Sequence, residues 1–491
     1  QDQHVRYAFT DAWRALPDGT NLGAIPAATV TAALNADLDA AITQLFYYTN
    51  DMHDWLWGFG FDEASGNFQV ANPSGNGVAG DPVLAEAQDG FNFGCQDNAM
   101  PPNAIRCLNN ANFGTNADGS TARMQMYMWA RPNRPYREGS MDGDVIAHEY
   151  GHGVSNRLVP MTLSGAINQA GSLGEGWSDA VSFLRWGDDV IGEYVTGNAN
   201  RGIRSSRYNA HTDTYGDYSL GVTSPHRNGE IWAATMYDIR VLLGLDTTTQ
   251  LVLDGMRSTP NGPSPTFLDA RDGILANDAA ANGGANRCAL WTAFAGRGMG
   301  TGAVSNGLHA VPTEDFSLPP ECLPAADANG PYVTPEGTNV SLDGSGSTAG
   351  SDPSAGAIVS YDWDLDDDGQ FDDASGPAVD FTAVGQDGVF DIGLQVTDAW
   401  GNTSTDSSTV TVTNVLPTVS IDPITAIDEF GTTTVSGTIT DPGWLDVLTA
   451  TIDFDDGAGP QNLSGVLENV RPDATFTFSV DHQYGDDGTF E

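Results

Sequence analysis

Two histidines four residues apart, in His148-Glu149-Tyr150-Gly151-His152, carry the strongest chemical signal in the chain. Four residues of α-helix turn about 400°, so both imidazoles stand on one face, a turn apart, within reach of one metal ion. Neutral imidazoles at that spacing suit Zn2+, and Glu149 between them lies beside a metal-bound water without being a ligand. Chance gives about 0.003 such patterns in a chain of this composition. Val145, Ile146, Val154 and Leu158 supply the apolar side that such a helix needs.

A catalytic zinc takes three protein ligands and keeps a position for water, so a third ligand is required downstream. Glu175 is the candidate, in Ser172-Leu173-Gly174-Glu175-Gly176-Trp177-Ser178-Asp179. Asp179 follows one turn later, placed to accept a hydrogen bond from the outer nitrogen of a ligand histidine. Ser172 and Glu175 also fit a capping box at a helix start; after an HExxH pattern the ligand reading takes precedence. His226, in a loop leading into a helix, is a candidate donor to a developing oxyanion. Histidines 4, 53, 211, 309 and 482 have no partner spacing and read as ordinary core or surface groups.

The elements that must position these groups are legible as patterns. Apolar residues recur at helical spacing over 29–49, with Val30, Ala33, Leu34, Leu38, Ile42, Leu45 and Phe46 on one face. Further helices are predicted over 142–158, 172–186 and 230–243, and a strand over 123–130 in which Met124, Met126 and Met128 alternate with Gln125, Tyr127 and Trp129. After Cys322 the texture changes to short Thr-, Val-, Asp- and Gly-rich runs with frequent turn signals, as in small β-sandwiches. A loose internal repeat there stops short in its second copy, so the natural protein is expected to continue past Glu491, and the N-terminus reads as processed.

Segments MDGDVIAHEYGHGVSNRL and GEGWSDA, with MHDWLWGFGFDEASGNFQV and HRNGEIWAATMYDIR in the same order, resemble the fungalysin metallopeptidases, secreted gluzincins related to thermolysin. The resemblance covers about residues 1–322. It implies His148, His152 and Glu175 as zinc ligands, Glu149 as general base and acid, Asp179 as the partner of a ligand, and His226 as an oxyanion donor. It also implies that Ala111 and Asn112 lie on an edge strand that pairs with extended substrate, and that apolar side chains are preferred after the cut. The Val159-Pro160-Met161 turn departs from the family's usual Gly-Gly. No tyrosine lies between His152 and Glu175 to serve as a second oxyanion donor, which leaves Tyr208, Tyr215 and Tyr218 as substitutes. Residues 325–414 resemble a polycystic kidney disease (PKD) domain, a spacer or matrix-binding module of secreted bacterial proteases, and 415–491 a truncated second copy.

The expected architecture is therefore multidomain: an α+β, thermolysin-like metallopeptidase unit with a mainly helical C-terminal half over 1–323, then all-β immunoglobulin-like sandwiches over 324–414 and 415–491. The expected activity is zinc-dependent endopeptidase, with a matrix-binding adhesion protein on an inactive peptidase fold as the alternative and an exopeptidase as a third reading. Asp364, Asp366 and Asp368 copy the first half of an EF-hand loop, but the twelfth position is Ser375; the readings are a Ca2+-stabilised turn or a plain acidic hairpin. Four cysteines lack a CxxC spacing, and of three pairings the sequence-local one, Cys95 with Cys107 and Cys288 with Cys322, is expected.

Composition narrows the partners. All 19 basic residues are Arg, against 65 acidic ones, for a net charge of −46, which excludes nucleic-acid binding. Residues 324–491 hold 30 of the acidic residues and a single Arg. No run of 18 uncharged apolar residues exists to span a membrane. A secreted monomer acting on protein or peptide substrates, with the sandwiches on insoluble matrix and the acidic surface adapted to salt or loaded with Ca2+, is the expectation.

Overall fold

A computed structural model describes residues 9–16, 25–89, 108–130, 136–159, 167–260, 264–383, 385–443, 445–463, 468–470 and 475–490. The chain divides into two compact units, Gln1–Pro320 with Asp352–Ser354, and Glu321–Ser351 with Ala355–Glu491.

In the first unit, α1 (Ala27–Trp57) buries Val30, Leu34, Ala41, Leu45, Met52 and Leu56 along one stripe. It runs two turns beyond the predicted end, and Ile42 and Phe46 of the predicted face are exposed. A small sheet follows, from β1 (Val83–Glu86), β2 (Ala111–Gly114) and β3 (Ala122–Met126), in the order β1-β3-β2, with β2 antiparallel to β3 and, among the described residues, unpaired on its other edge. The single strand predicted over 123–130 is two: β3 ends at Met126, and β4 (Met128–Trp129) pairs with β5 (Arg137–Glu138). The methionine stripe is packing, as read, but Gln125, Tyr127 and Trp129 opposite it are buried too.

The remainder of the unit is helical: α2 (Gly143–Leu158), α3 (Gln169–Trp186), the single turn α4 (Glu193–Thr196), α5 (His226–Leu243), α6 (Leu245–Ser258), α7 (Phe267–Asn282) and α8 (Arg287–Gly296). Asp142 caps α2 by accepting from the backbone N–H of Asp144 and Val145. Val145, Ile146, Tyr150 and Val154 of α2 are each no more than 3% exposed, burial that contributes about 1.5–3 kcal/mol per large apolar side chain. α3 begins three residues before the predicted Ser172, capped by Asn168 on the Gly171 N–H. Ser172 and Glu175 therefore lie inside the helix, and the capping-box reading fails.

The second unit is built of strands. β6 (Tyr332–Pro335), β7 (Asn339–Asp343), β8 (Ile358–Asp364), β9 (Ala374–Ser375), β10 (Ala378–Thr382), β11 (Gly388–Asp398) and β12 (Thr403–Thr413) form a five-stranded sheet, β6-β12-β11-β8-β9, and a β10-β7 pair. Trp363, Leu342, Leu394, Val396 and Val410 fill the core of these strands, the buried residues alternating along β11 as a half-covered strand requires. β13 (Thr418–Ile421), β14 (Thr432–Thr440), β15 (Thr451–Ile452), β16 (Gln461–Asn462), β17 (Glu468–Val470) and β18 (Thr475–Gln483) make a second set, ordered β13-β14-β18-β17 and β15-β16, around Val435, Ile439, Phe476 and Phe478. Cys288 and Cys322 are both disulfide-bonded; Cys95 and Cys107 lie outside the described residues. Among the described residues no helix is long and apolar enough to cross a membrane.

Candidate metal centre

Three helices meet at the HExxH segment because each carries a glycine where it touches its neighbour, Gly151 on α2, Gly176 on α3 and Gly229 on α5. A Cβ on Gly151 of α2 would stand 2.8 Å from Ser178 Cα of α3, and one on Gly229 of α5 would stand 2.8 Å from Glu175 Cβ. These close approaches bring Glu175 and His226 to the two imidazoles of α2. His148 and His152 are edge to face, their ring centroids 4.7 Å apart. One oxygen, Glu175 Oε2, faces His226 Nε2 at 3.2 Å, His148 Nε2 at 3.4 Å and His152 Nε2 at 3.7 Å.

Among the described residues that buried oxygen accepts no aligned hydrogen bond, and the same holds for Glu149 Oε2 in the same cleft. Ligand atoms of His148, His152 and Glu175 all lie within 4.8 Å of one another. Two imidazoles and a carboxylate converging on one point, each with a lone pair unspent, are the donor set of a catalytic zinc site, so the residues fit that ion. Burial would by itself raise the Glu175 carboxyl, but the neighbouring imidazoles of His226, His152 and His148 outweigh it and hold the group well below the usual carboxylate range. For Glu149 burial wins, opposed by His148 and assisted by the Glu175 charge, and its pKa is pushed up to about 7. Burial lowers His152 to about 4 and also lowers His226.

His148 is held from behind. Its Nδ1 lies 2.6 Å from Asp179 Oδ1, a contact that directs Nε2 into the cleft. Burial pushes the His148 imidazole down, but the Asp179 charge and hydrogen bond overcome this and raise it to about 9. Asp179 itself accepts from Arg204 Nη2 at 2.6 Å, from Arg204 Nε at 2.5 Å and from the Tyr208 hydroxyl. Arg204 is a member of the site that sequence reasoning missed. The only signal was an Arg-rich stretch, Arg201-Gly202-Ile203-Arg204-Ser205-Ser206-Arg207, in a chain otherwise poor in cations.

A cleft of about 520 Å3 opens over this cluster, and Ala111, Asn112 and Phe113 of strand β2 line its wall. Asn112 Nδ2 donates to the Tyr127 hydroxyl at 2.8 Å, which fixes the strand's inner side. His226 lines the same cleft, but as the first residue of α5 and not in a loop: Pro225 takes helical angles and starts the helix earlier than predicted. None of the three candidate tyrosines lines the cleft. Tyr208 is spent on Asp179, Tyr215 donates to Gln169 Oε1 at 2.9 Å, and Tyr218 is buried against Phe267. Val159 closes α2 as a buried residue, while Pro160 and Met161 lie outside the described residues.

The profile of a family described as Fungalysin metallopeptidase (M36) matches residues 20–303, a span that contains this whole cluster. The chain belongs to the fungalysin metallopeptidase family. Extracellular metalloproteinase 4 of Trichophyton tonsurans is 39% identical to this fungalysin over 305 residues, 55% of this chain and 44% of that protein. Extracellular metalloproteinase MEP of Fusarium vanettenii is 39% identical over 319 residues, 57% of this chain and 46% of the relative. Against Extracellular metalloproteinase 4 of Trichophyton soudanense the identity is 38% over 305 residues, 55% of this chain and 73% of the relative. The fungalysin thus spans less than half the length of the first two relatives. A second profile, that of a PKD domain, matches residues 330–412, so the peptidase domain is followed by a PKD-type β-sandwich.

Asp364, Asp366 and Asp368 sit in the turn after β8, their carboxylate oxygens within 4.8 Å of one another. Asp364 Oδ2 accepts the Gly369 N–H at 2.9 Å and Asp368 Oδ1 that of Gln370 at 2.8 Å, hydrogen bonds that close an acidic hairpin. Of the histidines read as ordinary, His53 bridges Asp54 and Gln69, His211 is buried beside Ser206, and His482 stacks on Phe454; His4 lies outside the described residues.

Proposed function

We propose that this fungalysin is a secreted zinc-dependent endopeptidase that hydrolyses internal peptide bonds of proteins. The observation that carries the reading is the convergence on one cleft of the unspent lone pairs of His148, His152 and Glu175, with Glu149 Oε2 in the same cleft. His148, His152 and Glu175 would hold the ion, whose chemistry when bound is Lewis-acid polarisation of a carbonyl and a nucleophilic water at neutral pH. Glu149 takes a proton from the attacking water at Oε2 and passes it to the departing nitrogen. His226 donates from Nε2 to the oxygen on which charge develops. Asp179 keeps the His148 proton on Nδ1, and Arg204 holds Asp179 in place. The edge of β2 that no described residue pairs with offers backbone groups to an extended peptide, with Ala111 and Asn112 at the point of pairing.

The same reading makes the peptidase unit thermolysin-like, active as a monomer outside the cell, with domains over 1–323, 324–414 and 415–491. The β-sandwiches serve as spacers or as holders of insoluble matrix, and the Asp364, Asp366 and Asp368 turn takes Ca2+. Replacing Glu149 with Gln tests the central assignment: zinc content stays at that of the unaltered protein while kcat/KM on a casein-type substrate falls by about 10²–10⁴-fold. Near-normal turnover by E149Q contradicts it.

A further inference from the structure

Three strand ends of the second unit converge on a group of carboxylates. Glu336 follows β6, Asp441 follows β14 and Asp446 lies five residues on, and one oxygen from each falls within 4.8 Å of the others. Glu336 and Asp441 are each only 1% exposed. Each spends one oxygen on backbone: Glu336 Oε1 accepts from Val415 N at 2.7 Å, just past β12, and Asp441 Oδ1 from Gly443 N at 3.0 Å. Their second oxygens, Glu336 Oε2 and Asp441 Oδ2, are buried and have no hydrogen-bond partner among the described residues. Asp446 Oδ2 accepts from Asn414 Nδ2, at 3.1 Å.

Buried carboxylate charges with one oxygen unpartnered and no counter-charge are costly unless a cation or a proton joins them. The chain has little to offer: it has no Lys, and its only Arg after residue 323 is Arg471. Space is reserved in front of the oxygens by Gly443, where a Cβ would lie 2.5 Å from Glu336 Oε2 and 2.6 Å from Asp446 Oδ2. All donors are oxygen, with no imidazole or thiolate, which disfavours zinc. A donor set made of carboxylate oxygens alone suits a hard cation such as Ca2+.

We infer that Glu336, Asp441 and Asp446 form a Ca2+ site that ties Asp441 and Asp446 to the ends of β6 and β12. Burial, together with the charges of Asp446 and Asp441, pushes the Glu336 carboxyl above its ordinary range, in line with a cluster that lacks its counter-ion. Residues 105 apart in sequence supply the ligands, so the ion stiffens the passage from the PKD-type sandwich into the strands that follow it. This clamp is separate from the acidic turn at Asp364 and from the peptidase site.

The test is calcium stoichiometry of the full chain by equilibrium dialysis and elemental analysis at about 1 mM free Ca2+, a level at which extracellular modules fill. Relative to the unaltered chain, the Glu336→Gln/Asp441→Asn variant loses one ion, and the same pair added to Asp364→Asn/Asp366→Asn, which removes any ion at the acidic turn, loses one more. Asp446→Asn, at a partly exposed position where folding is not at risk, binds the same ion about tenfold more weakly. Thermal unfolding of the second unit checks the fold: without calcium the double variant melts no lower than the unaltered chain, because two buried like charges are gone. With calcium, the rise of about 4 °C or more seen for the unaltered chain is absent from the variant. Equal stoichiometry in the unaltered chain and in both the double variant and Asp446→Asn overturns the site and leaves a shared proton as the compensation.

Discussion

Glu175 Oε2 stands 3.2–3.7 Å from three imidazole nitrogens and, among the described residues, accepts no aligned hydrogen bond, which leaves its lone pair for a cation. Glu175→Gln should therefore lower zinc affinity steeply, while Asp179→Asn, one step removed, lowers it about 10–100-fold; competition against a zinc-selective dye separates the two. Equal effects would mean that Asp179 does more than orient His148. A second buried carboxylate, Glu138, is not among the residues that line the cleft. Its pKa is pushed up to about 7 by burial, against hydrogen bonds from Ser140 and Gln88, whereas the unfolded chain has an ordinary Glu. Between about pH 4.5 and 7 the folded form holds this proton and the unfolded form does not, so stability falls by up to about 1.4 kcal/mol per pH unit as pH rises. Glu138→Gln should flatten that stretch of the stability profile, and an unchanged slope in urea titrations would refute the assignment. The HExxH pair was legible because its chemistry and its geometry share one helix. Arg204 was not, since it reaches Asp179 from an irregular segment that no periodicity marks, nor was the burial of Glu138, which depends on what covers it.

The helices place the site through their bare contact points. Gly151→Ala would drive a methyl to 2.8 Å from Ser178 Cα, part α2 from α3 and pull the two imidazoles away from Glu175. A stability loss of about 1–3 kcal/mol, with weakened zinc binding, is expected. Gly296→Ala at the end of α8 meets nothing within 4 Å and should be neutral or slightly stabilising, which makes it the control in the same melting experiment. Helices α2 and α3 were foreseen within three residues because their apolar spacing and capping residues agree. The start of α5 was misplaced because Ser224-Pro225 reads as a loop, although a proline adopts helical φ without strain at a helix start. The strand over 123–130 was legible as extended chain, but its break at Tyr127 and the cover on both faces depend on α1 and the β4-β5 pair, which local alternation does not encode.

Across the whole molecule the dominant quantity is charge: −46, without a single Lys. Self-repulsion on that scale is screened by salt, so the melting temperature and the rate of casein cleavage should hold or rise between about 0.1 and 2 M NaCl. A steady decline would count against adaptation of the surface to salt. The change of texture after Cys322 announced a second kind of domain, and a PKD-type profile matches residues 330–412. What composition left hidden there is the carboxylate cluster at Glu336, Asp441 and Asp446, because its members are brought together only by the strand ends. The central claim is that one zinc ion, held by two histidines and a glutamate, makes this fungalysin a peptidase. Zinc content of the purified chain, measured with casein hydrolysis before and after phenanthroline treatment, tests it most directly. One zinc per chain, with cleavage lost to the chelator and restored by added Zn2+, is the predicted result; stoichiometric zinc without proteolysis, or proteolysis indifferent to the chelator, would contradict it.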